Sequence, residues 1–373
     1  MVKGIIYLAK AGTGKTTFIT SGLKEQFKNK NVLFITYTRQ NTENLKDKLQ
    51  ISSISFKDYE VLTFYQFLER ELIAPYKLSI RENLELNYDI SGLYFRNSKE
   101  INNSKYIKKK SSAFWQSESG ALFGDKLSAL LIEKRNQLVF ENAVKRLEKF
   151  YDYIVIDEFQ DIVNPELKIL QKLGAQIYRT SSLKLILVGD LYQSCVEKTS
   201  LKISPYDKFT SNMSEERFVR DKLGLKTRYF DIDNRKLKSS YRVPPKVCEF
   251  VKSVLGIDIQ SKNTNILGEV KYIDDSKLVY LINSEDCKLL TYDKRQKDKI
   301  RDKFNADESK MINYGFSKGM EYTNVIIFLT STLTNALKRN DLSSMSVVIK
   351  NKFYVALTRT KGNVYLVPYN FIK

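Results

Sequence analysis

The sequence predicts an α/β protein built on buried parallel sheets. Short apolar runs rich in β-branched residues alternate with longer segments of helical period, the pattern of strands covered by helices on both faces. At roughly 100–200 residues per domain, 373 residues make room for about two globular units. Hydrophobic residues at 42% and charged residues at 28% are ordinary globular usage and exclude wholesale disorder.

The expected strands, in order, are Ile5 to Leu8, Val32 to Thr36, Tyr153 to Ile156, Leu185 to Val188, Lys288 to Tyr292, Val325 to Leu329 and Val364 to Val367. Before Tyr153, residues 126–150 carry Leu127, Leu130, Leu131, Leu138, Ala143, Val144 and Leu147 near a 3.6 period, which predicts one long amphipathic helix. Residues 81–120, rich in Asn, Ser and Lys, read as an inserted and partly irregular segment. A weakly patterned stretch from Glu197 to Lys222 reads as a linker between two lobes. The expected division is a first lobe over 1–215, with an insertion within about 68–125, and a second lobe over 216–373, with a minimal insertion at about 250–285. Internal repeats and low-complexity tracts are absent.

Composition narrows the chemistry. There is no histidine, so Ser-His-Asp and Cys-His nucleophile systems, HExxH metal sites and imidazole pH switches are excluded, and general-base work falls to carboxylates. Cys195, Cys248 and Cys287 are odd in number and widely spaced, which is neither a disulfide framework nor a CxxC metal site. With no apolar run approaching a membrane span, the expectation is a soluble, cytoplasmic protein without a membrane partner. The 62 Lys and Arg against 43 Asp and Glu leave +19, which points to a polyanionic partner or to a solvated basic surface.

Ala9-Lys10-Ala11-Gly12-Thr13-Gly14-Lys15-Thr16 follows an expected strand and opens an expected helix, the context a P-loop requires. The two glycines let backbone N–H groups close around phosphate oxygens, Lys15 offers a point charge to the β- and γ-phosphates, and the Thr16 hydroxyl suits Mg²⁺. Ala9 stands where the general pattern has glycine. The second signal is Tyr153-Ile154-Val155-Ile156-Asp157-Glu158-Phe159-Gln160-Asp161, an apolar strand ending in adjacent acids. Beside a P-loop, Asp157 would join the Mg²⁺ shell and Glu158 would orient and deprotonate water. By itself the pair also fits an acidic helix start.

Asp157-Glu158-Phe159-Gln160-Asp161 resembles the DEFQD motif of UvrD/Rep-like superfamily 1 helicases, and other motifs of that family follow in its order. Ile35-Thr36-Tyr37-Thr38 resembles motif Ia, and Thr63-Phe64-Tyr65 the TFH element after it. Val188-Gly189-Asp190-Leu191-Tyr192-Gln193-Ser194 resembles motif III, and Ser240-Tyr241-Arg242 motif IV. Ser317-Lys318-Gly319-Met320-Glu321-Tyr322 resembles motif V, and Tyr354-Val355-Ala356-Leu357-Thr358-Arg359 motif VI. The resemblance spans most of the chain. It implies two RecA-like P-loop NTPase lobes with small insertions, ATP and Mg²⁺ in the cleft between them, and a nucleic-acid-dependent ATPase moving on single strands. DNA is the expected strand, with RNA as the alternative. Residue by residue, it implies catalytic roles for Lys15, Glu158, Gln193, Arg242 and Arg359. Nucleotide contacts fall on Ala11, Gly12, Thr13, Gly14, Lys15, Thr16, Thr17, Gly319 and Glu321, Mg²⁺ on Thr16 and Asp157, and strand contacts on Thr36, Tyr37, Thr63 and Phe64. Phosphoryl transfer needs positioning and charge neutralisation more than covalent catalysis, so arginines and carboxylates suffice.

The sequence departs from the family in four places. Met1 stands immediately before the first expected strand, so the family's upstream glutamine element that reads adenine is expected to have no counterpart. Motif III continues as Ser194-Cys195-Val196-Glu197-Lys198 where relatives have an aromatic and Arg-Gly-Ala. Gly315 stands near a family histidine, and the second insertion is minimal. These departures keep open a second class, an ATP-gated nucleic-acid switch or clamp that relies on a partner protein for unwinding. The excess charge is uneven: residues 96–110 carry +5, 217–246 carry +7 and 294–303 carry +4, a track on which a strand crossing both lobes would be held.

Overall fold

The computed structural model describes residues 4–52, 54–179, 182–195, 204–209, 213–263, 265–273 and 275–372. Its strands run, in chain order, β1 Gly4–Ala9, β2 Asn31–Thr36, β3 Asp58–Thr63, β4 Gly92–Tyr94, β5 Ala121–Phe123, β6 Tyr153–Asp157, β7 Lys184–Gly189 and β8 Phe230–Leu237. There follow β9 Ser239–Ser240, β10 Gln260–Ser261, β11 Val270–Tyr272, β12 Cys287–Thr291, β13 Met311–Asn313, β14 Asn324–Phe328 and β15 Val364–Val367. The first sheet has the order β3-β2-β6-β7-β1-β8 and the second β11-β15-β14-β12-β13. Every neighbouring pair in both is parallel. The fold is therefore the expected α/β one, with two parallel sheets.

Parallel neighbours need crossovers, and helices supply them on both faces. On one face of the first sheet, Ile6, Leu33, Ile154 and Leu185 share a core with Phe64, Phe67, Leu130, Leu147 and Leu170. On the other, Tyr7, Val32, Phe34 and Val155 meet Ile19, Phe27 and Leu45. The alternation of adjacent strand residues between the two cores is the period-two geometry of a pleated strand. The second sheet is likewise covered on both faces, by Val247, Val251 and Phe353 on one side and by Leu278 and Ile300 on the other.

Three expectations are corrected. The boundary at 215/216 falls too early: β8 pairs along β1 from Gly4↔Phe230 to Ala9↔Leu237, and Phe218 and Val219 lie in the first-lobe core. The chain passes to the second lobe only after Leu237. The single helix over 126–150 is two helices, Leu127–Ile132 and Gln137–Phe150. Glu133 is extended between them, and buried Asn136 donates its amide to the Leu130 carbonyl at 3.0 Å, closing the first helix. Leu138, placed on the apolar stripe, is exposed. Finally, 250–285 is no insertion: it holds the end of helix Pro245–Leu255, edge strand β11 and helix Asp275–Asn283, all parts of the second lobe. The 68–125 segment shares the first-lobe core through Ile80, Leu84, Ile90 and Trp115. Among the described residues no helix is long and apolar enough to cross a membrane.

Candidate nucleotide site between the lobes

At the end of β1 the chain turns through Gly12 (φ 71°) and Gly14 (φ 76°) into a helix beginning at Lys15. Both angles lie in the left-handed region that glycine adopts without strain. Gly12 is required for a second reason: a Cβ there would stand 2.3 Å from Ser240 Oγ and 2.8 Å from Arg242 Cβ. The loop is thus pressed against the second lobe, and Tyr241 N–H donates to the Gly12 carbonyl at 2.8 Å. Within the loop, the Thr13 hydroxyl donates to the Lys10 carbonyl at 2.9 Å.

β6 delivers the acids. Asp157 ends the strand, and Glu158 turns in the left-handed region (φ 54°) with its N–H donated to Asp157 Oδ1 at 2.9 Å. Glu158 Oε1 lies 3.6 Å from Lys15 Nζ; Oε2 lies 3.5 Å from Lys318 Nζ and accepts from the Gln160 amide. Lys318 also pairs with Asp161 at 2.6 Å. Burial, then the Glu158 charge, push the Asp157 carboxyl up. Burial would do the same to Glu158, but Lys15 and Lys318 outweigh it and hold that carboxyl below its ordinary range. The carboxylate that meets cations stays charged, and its neighbour carries the cost of adjacency.

β7 ends beside them. Buried Asp190 accepts from Tyr192 N–H at 3.1 Å, the Gln193 amide at 2.9 Å and the Tyr354 hydroxyl at 3.1 Å. From the second lobe, Arg242 donates from Nε at 2.8 Å and Nη2 at 2.6 Å to one oxygen of Glu321, while Lys361 pairs with the other at 2.8 Å. Burial works against the Glu321 charge, yet Arg242 and Lys361 bring its carboxyl down to about 2. Arg359, 1% exposed, is fixed by the Val355 carbonyl at 3.0 Å. Burial and the charge of Arg242 lower its pKa to about 10, which leaves it a cation at neutral pH.

Groups from both lobes line one cleft of about 830 Å³, within the size range of small-molecule and cofactor pockets. Gly12, Thr13, Gly14, Lys15, Thr16, Thr17, Glu158, Gln193, Arg242, Gly319, Glu321 and Arg359 all line it. Of the residues expected to touch nucleotide, only Ala11 does not: it is fully buried, and its N–H is donated to the Tyr354 hydroxyl at 3.0 Å. Thr16 and Asp157 offer the hard oxygen donors that suit Mg²⁺. Among the described residues no three His, Cys, Asp or Glu gather into a candidate metal cluster.

The strand-contact expectations fare unevenly. Phe64 is 0% exposed, packed against Phe67 at 6.3 Å between centroids, so it has no face for a base and is corrected to a core residue. Thr36 is buried too, its hydroxyl bonded to that of Thr42 at 2.6 Å. Thr63 caps the short helix Phe64–Gln66. Tyr37 is half-buried, linked by hydrogen bond to Tyr65, whose hydroxyl donates to Glu166 at 3.0 Å. In motif III, Ser194 is buried and its carbonyl accepts from Asn351 of the second lobe at 2.8 Å; Val196, Glu197 and Lys198 lie outside the described residues. Gly315 has no atom within 4 Å of where a Cβ would stand. Lys318, Asp161, Asp190 and Tyr354 were not singled out from the sequence, although all stand inside the recognised motifs; their partners lie more than a hundred residues away or in another motif.

No curated protein matches the chain. Solved structures similar to it include the helicase of PRRSV, at 12% identity over 98% of this chain and 52% of that one, TM-score 0.44. Another is the arterivirus nonstructural protein 10 helicase with DNA, at 14% over 99% and 61%, TM-score 0.44. A third is Pif1 of a Bacteroides species with ADP-AlF4, at 13% over 99% and 92%, TM-score 0.46. The chain spans about half the length of the first of these. The family model AAA_19, an AAA domain, matches residues 2–198. That match takes in more than half of the sequence, with both the P-loop and the DEFQD acids inside it, and the chain belongs to this AAA-domain family.

Proposed function

We propose that the protein is a nucleic-acid-dependent ATPase of the UvrD-like superfamily 1 type, hydrolysing ATP between two lobes to move along single-stranded DNA. The observation that carries this reading is the cleft itself: Lys15, Glu158 and Gln193 of one lobe face Arg242 and Arg359 of the other across a nucleotide-sized space. Bound ATP would draw Lys15 from Glu158 onto its phosphates, leaving that carboxylate to orient the attacking water and take its proton. Arg359 and Arg242 would neutralise charge on the leaving phosphates, which ties turnover to closure of the lobes. Mg²⁺ at Thr16 and Asp157 would supply charge neutralisation at the β- and γ-phosphates. The basic runs at 96–110, 217–246 and 294–303 support a strand as the polyanionic partner.

One observation favours a second reading, an ATP-gated clamp aided by a partner protein: the described elements of 250–285, the end of helix Pro245–Leu255, edge strand β11 and helix Asp275–Asn283, are used within the second lobe. ATP turnover measured with single-stranded DNA, duplex DNA and RNA, followed by displacement of a bound end label, decides. Strand-stimulated turnover with directional displacement supports the motor, stimulation without displacement the clamp, and turnover indifferent to every strand refutes both.

A further inference from the structure

A second cavity, of about 360 Å³, opens on the flank of the first lobe and shares no residue with the nucleotide cleft. Helix Leu167–Ile177 and the chain leading into β8 form its walls, which present Lys168, Gln171, Lys172, Gly224, Lys226 and Tyr229. Tyr229 sits at the amino end of the sheet, where its carbonyl accepts the Gly4 N–H at 2.9 Å, whereas the P-loop leaves β1 at the carboxyl end. At about 3.3 Å per residue, the six residues of β1 put about 20 Å between those ends.

The walls are built rather than loose. Leu223 and Leu225 are buried in the first-lobe core, which fixes Gly224 and Lys226 beside them, and the Gln171 amide donates to the Leu223 carbonyl at 2.8 Å. Gly224 turns at φ 65°, and a Cβ there would stand 2.7 Å from that amide nitrogen. The Lys172 ammonium donates to the Leu131 carbonyl at 3.4 Å and lies 4.8 Å from the centre of the Phe140 ring. Burial lowers its pKa, and the charge of Glu141 opposes that shift. Arg228 stands over the Tyr229 ring, which meets Tyr178 edge-on at 5.5 Å between centroids. Arg217 and Arg220, in helix Glu215–Asp221 just upstream, are paired with Asp221. Lys168, Lys226 and Arg228 have no such carboxylate partner among the described residues.

Fixed cations around a concave wall with apolar backing repel one another until an anion enters, and they focus their field into the cavity. We propose that this flank is a second polynucleotide site, holding the phosphodiester backbone of a strand on Lys168, Lys172, Lys226 and Arg228 with Tyr229 alongside. A strand is the favoured polyanion because aromatic rings are interleaved with the cations, the arrangement that holds single strands without regard to sequence. The site lies outside the cleft and is read by binding, so it holds or fails apart from the ATPase reading.

The test compares the full-length wild type with the triple variant Lys168→Gln, Lys226→Gln and Arg228→Gln. All three side chains are exposed, so their exchange leaves the core intact, and Lys172, which packs on Phe140, is kept. Fluorescence anisotropy at several salt concentrations reads affinity for oligothymidylates of about eight and about forty nucleotides. Loss of three phosphate contacts should flatten the salt slope for the long strand by about 2, so the wild type loses about twentyfold more affinity than the variant over an about fourfold rise in salt. The concentration of the short strand that half-saturates ATP turnover should not move. An unchanged slope for the long strand overturns the site. So does a matching loss in activation by the short strand, which would put these cations on the strand in the cleft. Tripolyphosphate binding that the variant loses, with long-strand affinity intact, assigns the cavity to a small anion and overturns it likewise. Turnover indifferent to every strand in both proteins overturns the ATPase reading and leaves the slopes to decide the site.

Discussion

Replacing Tyr354 by Phe removes one oxygen from the seam between the lobes. The ring would remain, fully buried and set edge-on to Tyr192 at 5.9 Å between centroids, so the change isolates the hydroxyl. That hydroxyl accepts the Ala11 N–H at 3.0 Å and donates to Asp190 at 3.1 Å. Asp190 keeps the Gln193 amide and the Tyr192 N–H, and its loss is small. Ala11 is fully buried and loses the partner of its N–H, a penalty of about 1–3 kcal/mol. At about 2–4 °C per kcal/mol for units of this size, the melting temperature should fall by about 2–12 °C. Calorimetry with and without a non-hydrolysable ATP analogue measures it, alongside KM for ATP, since the orphaned N–H sits in the P-loop. A melting temperature within about 1 °C of wild type, with KM unchanged, would show that the tyrosine does not tie the P-loop to the second lobe.

Two other substitutions separate chemistry from architecture. Glu158→Gln should bind ATP and nucleic acid yet turn over about 10²–10⁴-fold more slowly, the usual contribution of a positioned base; near-normal turnover in a single-turnover assay removes Glu158 from that role. Phe64→Ala should cost about 3–5 kcal/mol of stability, as a large core truncation does. Denaturant titration reads that cost, and a variant that melts normally but binds single strands poorly would return Phe64 to the strand.

What the sequence revealed of the sheets follows a physical rule. The seven expected strands are β1, β2, β6, β7, β12, β14 and β15, each with a neighbour on both sides. The strands not anticipated in the two sheets, β3, β8, β11 and β13, are the four edges. An interior strand of a parallel sheet is buried on both faces and reads as a continuous apolar run, whereas an edge such as Phe230-Asp231-Ile232-Asp233-Asn234-Arg235-Lys236-Leu237 alternates with charge and resembles a loop. In the site, Lys15, Asp157 and Glu158 were legible because strand, turn and chemistry coincide within a few residues. Tyr354 and Lys318 were not, since their partners Ala11 and Asp161 lie 343 and 157 residues away. Phe64 misled for a related reason: a motif position specifies residue type but not which face of its element the side chain takes.

The return of β8 to the first sheet also bears on how the protein can be divided. β1 is hydrogen-bonded on both flanks, by β7 and by β8. A polypeptide ending at residue 215 would strip one flank, leaving the strand that carries the P-loop as a bare edge, a template on which a second copy could add its own strand. Such a fragment should precipitate or form oligomers through that edge, whereas one extended through Leu237 brings its own edge strand, rich in charge and fit to face water.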